Sequence, residues 1–112
     1  MKFTERRLAA MYDLLRTMPP FNRWKLPPSD QVNFCASARR DCMGEHTVHR
    51  SCHRVMVSTL KHGHFDSVLE TLGHEMVHMA QAIDGEQRTH GEGFERRARA
   101  VGKAFGWDWR AL

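Results

Sequence analysis

At 112 residues the chain has room for one domain, read here as residues 1–112, with one modest core; 41% apolar and 27% charged residues are ordinary for a soluble globular protein. The net charge of +4 permits weak association with nucleic acid without requiring it, because acids and bases are interleaved along the chain. No repeat, low-complexity tract, secretory leader or membrane-length apolar run is evident, and an odd count of three cysteines without a leader suits a reducing cytoplasm.

Residues 4 to 18 predict a helix, with Leu8, Met11, Leu14, Leu15 and Met18 inside one sector of roughly 120°. Pro19-Pro20 ends it, since proline lacks the amide proton a helix needs, and residues 19 to 30 hold all four prolines of a connecting loop. Residues 31 to 59 predict strands. Val32, Phe34 and Ala36 alternate, and Val55-Met56-Val57 suits a buried strand. The polar stretch between them, Ser37 to His53, reads as a hairpin or as a long loop with a short strand near Thr47-Val48.

Residues 65 to 83 predict the most informative helix. With Val68 set to zero, Val68, Leu69, Leu72, Met76, Met79, Ala80 and Ile83 fall within roughly 0–120°, while His74, His78 and Glu75 fall at about 240°, 280° and 340°. Core packing alone does not explain two separate stripes. A last helix follows over 92 to 105, with Phe94, Ala98, Val101 and Phe105 as its apolar stripe and Gly106 as its stop; Trp107 and Trp109 then pack back on the core.

The polar stripe spells His74-Glu75-Met76-Val77-His78, the pattern H-E-x-x-H. Histidines four apart sit one turn up the same face, so both imidazoles reach one ion at ~2.0–2.1 Å. Glu75 is too short and misdirected for a direct ligand, but it is placed to take a proton from a water on the metal. A catalytic zinc takes three protein ligands and keeps one position open. The candidates for the third are His90, Glu92 and Glu95. His90 is favoured because Gly91 beside it lets the backbone stand clear, and Glu95 is its main rival.

His74-Glu75-x-x-His78 followed by His90-Gly91-x-x-Phe94 resembles the SprT-like zinc metalloprotease domain over roughly residues 50 to 105. The resemblance implies one catalytic Zn2+ on His74, His78 and His90, Glu75 as the general base, and Phe94 as anchor of the last helix. It implies an α+β minimal zincin: a small, mainly antiparallel sheet packed on the active-site helix, with two further helices. The implied activity is hydrolysis of a protein or peptide substrate, in a bacterium or a phage-infected cell. The paired C-x-x-C motifs of a C-terminal zinc ribbon, common among such proteins, do not occur here.

Two further readings stand beside this one. The first is a basic nucleic-acid-associated module with a structural zinc; the second is a metal-dependent hydrolase of something other than peptides. Arg96-Arg97-x-Arg99 is the basic group of interest for the first, as a phosphate-binding patch or as a solvated helix face. Cys35, Cys42 and Cys52 with His46, His49 and His53 could form a second zinc site, or stand as separate thiols and surface histidines. His62 and His64 flank the start of the long helix, where His64 could reach the cleft. Tyr12 reads as packing.

Overall fold

The computed structural model describes residues 4–59, 64–87 and 89–111. Helix α1 (Glu5–Arg16) starts at Thr4, whose hydroxyl accepts from the Arg7 amide at 3.2 Å and so satisfies one of the amides that helix ends leave without a partner. Its buried face is Leu8, Met11, Tyr12 and Leu15, an i, i+3, i+4, i+7 stripe. Leu14, placed in that stripe by its angle, is instead 49% exposed, because the face turned inward is centred between Met11 and Tyr12. Tyr12 is fully enclosed. Its hydroxyl donates to the Pro27 carbonyl at 2.6 Å and lies 3.5 Å from the Met79 sulfur, and burial pushes the phenol pKa above its usual range.

Three strands follow: β1 (Val32–Ser37), β2 (Gly44–His49) and β3 (Cys52–Ser58). They form one sheet in the order β1-β3-β2, with β3 parallel to β1 and antiparallel to β2. The sheet is therefore mixed rather than mainly antiparallel. The stretch before β3 is a tight hairpin, in which Arg50 (φ 50°) and Ser51 (φ 64°) both occupy the left-handed region that a two-residue turn of matching twist demands. Along β1, Val32, Phe34 and Ala36 face the core as their alternation predicts; on β3, Val55, Met56 and Val57 are all buried.

Helix α2 (Phe65–Ile83) packs against β2, β3 and α1, and helix α3 (Glu92–Phe105) packs against α2. Val68, Leu72, Met76, Met79 and Ala80 enter the core, as their stripe predicts. α3 closes on Gly106 at φ 73°, whose amide bonds the Gly102 carbonyl. Trp107 and Trp109 lie partly buried against the core. Among the described residues no helix is long and apolar enough to cross a membrane. The architecture is α+β, three helices with a small mixed sheet, consistent with a minimal zincin.

Within its basic cluster, Arg97 departs from a solvated face. It is only 6% exposed and ion-paired to Asp84 and Glu86 in the α2–α3 connection, and Arg99 pairs with Glu95 on its own helix. Arg97 is thus engaged by acids inside the fold, while Arg96 and Arg99 stay on the exposed face of α3.

Candidate metal centre

The polar stripe of α2 does not face solvent. Glu75 is 4% exposed and His78 is buried, because β2 covers one side of the stripe and the chain leading into α3 covers the other. His90 reaches the same point from that connecting chain. The His78 Nε2 atom lies 3.2 Å from His74 Nε2 and 3.1 Å from His90 Nε2. Nitrogens bound ~2.0–2.1 Å from a tetrahedral zinc stand roughly 3.3 Å from one another, so this spacing fits a single ion with three imidazole ligands. Among the described residues it is the one group of three or more histidines, cysteines or carboxylates close enough to share a metal. Glu95 lies outside it and bonds Arg99; Glu92 is exposed at the start of α3.

The tautomer of His78 follows from its surroundings. Gln81, one turn further along α2 and 1% exposed, donates its side-chain NH2 to the Thr89 carbonyl at 3.0 Å. Its amide oxygen therefore faces His78 Nδ1, 2.8 Å away, and accepts that nitrogen's proton. Nε2 then carries the lone pair and presents it toward His74 and His90. One buried amide thus orients a candidate ligand on the helix and ties down the backbone next to His90. Gln81 escaped the sequence reading although it stands at about 220° on the wheel, next to His74 at the edge of the polar stripe.

Phe94 packs against all three imidazoles, with ring centroids 5.1 Å from His74, 5.0 Å from His78 and 4.6 Å from His90. It is buried and forms an apolar backing that keeps water from that side of the cluster. This gives a physical meaning to the spacing His90-Gly91-x-x-Phe94: one turn into α3, the phenyl ring comes back under the histidine that precedes the helix.

Glu75 stands beside the cluster. Burial, with Glu45 across the cleft adding like charge, pushes its pKa up to about 8 in the metal-free chain. A divalent cation at the histidines would favour the carboxylate and oppose both effects. The close approach of β2 depends on Gly44. A Cβ there would stand 2.7 Å from Thr71 Cγ2, 3.0 Å from the Met56 carbonyl oxygen and 3.1 Å from Glu75 Oε2. No sequence motif marks this glycine.

Between β2 and α2 runs a cleft of about 650 Å³, lined by Gly44 to Thr47 on one side and by His74, Glu75, His78 and His90 on the other. Among the described residues β2 is an edge strand, paired in the sheet with β3 alone.

Among the described residues, the other histidines and the cysteines do not join this centre. His46 and His53 contact each other at 3.0 Å, and the three cysteines are free thiols not gathered into a metal-binding group. His64 is the residue before α2, exposed, and makes no side-chain cap there; His62 lies outside the described residues.

No curated protein and no solved structure matches the chain. A family comparison does. The model of the SprT-like family matches residues 12–110, which takes in the whole α2 stripe, the connection carrying His90 and all of α3, and the chain belongs to that family.

Proposed function

We propose that this chain is a zinc metallopeptidase in which His74, His78 and His90 hold one zinc ion and Glu75 is the general base. The observation that carries the reading is the convergence of His74 Nε2 and His90 Nε2 on His78 Nε2, at 3.2 and 3.1 Å, beside a buried carboxylate on the wall of a cleft bounded by an edge strand. When bound, the zinc supplies an acidified water and polarises the carbonyl under attack.

The chain's own groups do the rest. The open side of β2 offers backbone amides and carbonyls to which an extended peptide adds as a further strand, laying its backbone across the cleft. Glu75, at a side-chain oxygen, takes the proton from the attacking water and hands it to the amine nitrogen as the peptide bond breaks. Gln81 keeps His78 in the tautomer that presents Nε2, and Phe94 shields the back of the cluster. The substrate proposed is thus a protein or peptide segment that can be extended. The three free thiols fit a reducing cytoplasm.

The test is Glu75→Gln on the zinc-loaded protein, read by native mass spectrometry and by cleavage of an unstructured protein substrate. Zinc retained at one per chain with cleavage lost by about 10²-fold or more is the expected result. Undiminished cleavage in Glu75→Gln would remove the general base from the scheme.

A further inference from the structure

A second cavity, of about 270 Å³, branches from the cleft. The two share Gly44, His74 and Glu75, so the branch begins where the reacting bond would lie. One wall continues the stripe of α2 toward its N-terminus through Thr71, Glu70 and Ser67, and the facing wall is Gly44 with Met43, the residue before β2. Small-molecule sites run from about 300 to 1,000 Å³; a smaller branch beside a peptide groove is sized for one side chain.

The lining chemistry narrows which side chain. Met43 is 49% exposed and Thr71 presents a methyl, so the walls can cover an aliphatic stem. Glu70 supplies a carboxylate. Among the described residues, Glu86, Asp84, Glu95, Asp13, Asp41 and Glu45 are each held by an arginine, whereas Glu70 has no ion-pair or hydrogen-bond partner. A half-buried carboxylate without a counter-charge, with Glu75 as a second carboxylate on the same lining and Met43 and the Thr71 methyl beside it, favours a cation on a long apolar stem and repels an acid.

We propose that this branch is the subsite for a residue flanking the scissile bond, and that Glu70 makes it select lysine or arginine. The inference rests on the peptidase reading above and adds its substrate class: extended segments with a basic residue at the cut.

The experiment is digestion of a mixed peptide library by the zinc-loaded protein, by Glu70→Gln and by Glu70→Lys, with the products sequenced. The expected result is about ten-fold enrichment of lysine and arginine over norleucine at one position next to the cut, in line with a charge-assisted contact. Glu70→Gln should lose that enrichment, and Glu70→Lys should move it to aspartate and glutamate. Cleavage by the unmodified protein without basic enrichment, or an enrichment unchanged in both variants, overturns the subsite while leaving the peptidase intact. A folded, zinc-loaded protein that cuts nothing in the library overturns the peptidase reading and the subsite with it.

Discussion

Replacing Gln81 by methionine keeps volume and removes both of the side chain's hydrogen bonds at once. In the native arrangement His78 Nδ1 donates to Gln81 over 2.8 Å and Gln81 donates to the Thr89 carbonyl over 3.0 Å. Methionine strands the buried His78 N–H, at about 1–3 kcal/mol, and takes roughly 1 kcal/mol of support from the connection that carries His90. The imidazole has a way to escape the first cost: it can move its proton to Nε2, the atom that must be free to bind metal. Zinc affinity should therefore drop about 10–100-fold, the usual range for losing such a supporting contact. The assay is competition against a chromogenic chelator, with urea unfolding of the metal-free protein measured in parallel to separate affinity from fold. Gln81→Glu divides the two roles, because a carboxylate still accepts from His78 but cannot donate to Thr89; its affinity should fall between the other two. A folded Gln81→Met protein that binds zinc within about two-fold of the unmodified chain would refute the argument.

Two other perturbations probe the frame around the site. Gly44→Ala places a methyl against Thr71, the β3 backbone and Glu75, so β2 must lift or Glu75 must shift. Overpacking of this kind costs about 1–3 kcal/mol, and peptide kcat/KM should fall more than ten-fold while zinc stoichiometry holds; an alanine variant equal to the parent in Tm and kcat/KM would contradict the close approach. Arg97→Met removes the partner that holds the Glu86 carboxyl below its usual pKa, chiefly through their hydrogen bond. Stability from a depressed carboxylate is present above its unfolded pKa of about 4.3 and is lost as pH falls through the lower folded value. The stability gap between parent and variant, followed by urea unfolding of the metal-free chains, should thus be open at neutral pH and close progressively below about pH 4.3; a gap independent of pH would show that the ion pair is not its source.

What could be read from the sequence was what is local to one element. Helix α2 announced itself because its core and polar stripes repeat within 19 residues, and the His90–Phe94 spacing could be read because both lie within a turn of the start of α3. The hairpin turn was not marked, because Arg50 and Ser51 adopt left-handed backbone without the glycine or asparagine that usually signals it. The parallel pairing of β1 with β3 joins residues about twenty apart, and nothing in either strand names its partner. Gln81 and Gly44 matter for the same non-local reason. Each is defined by what comes to meet it, the Thr89 carbonyl in one case and Glu75 in the other.

The same distinction bears on how the site can be assembled. His74, Glu75 and His78 are fixed relative to one another by the rise and twist of one helix, so their geometry is set once α2 forms. His90 has no such guarantee. It lies beyond Gly85 (φ 74°) on a connection held by Gln81 at Thr89 and by Arg97 at Asp84 and Glu86, the latter from α3 itself. The proposed third ligand is therefore only as well placed as the docking of α3 on α2, and Phe94, which packs against all three imidazoles from α3, ties that docking to the geometry of the histidine cluster. This explains why a polar amide and a salt-bridged arginine are spent in the interior of so small a protein. Apolar residues there would have packed well enough, but they would not have fixed the position of a loop.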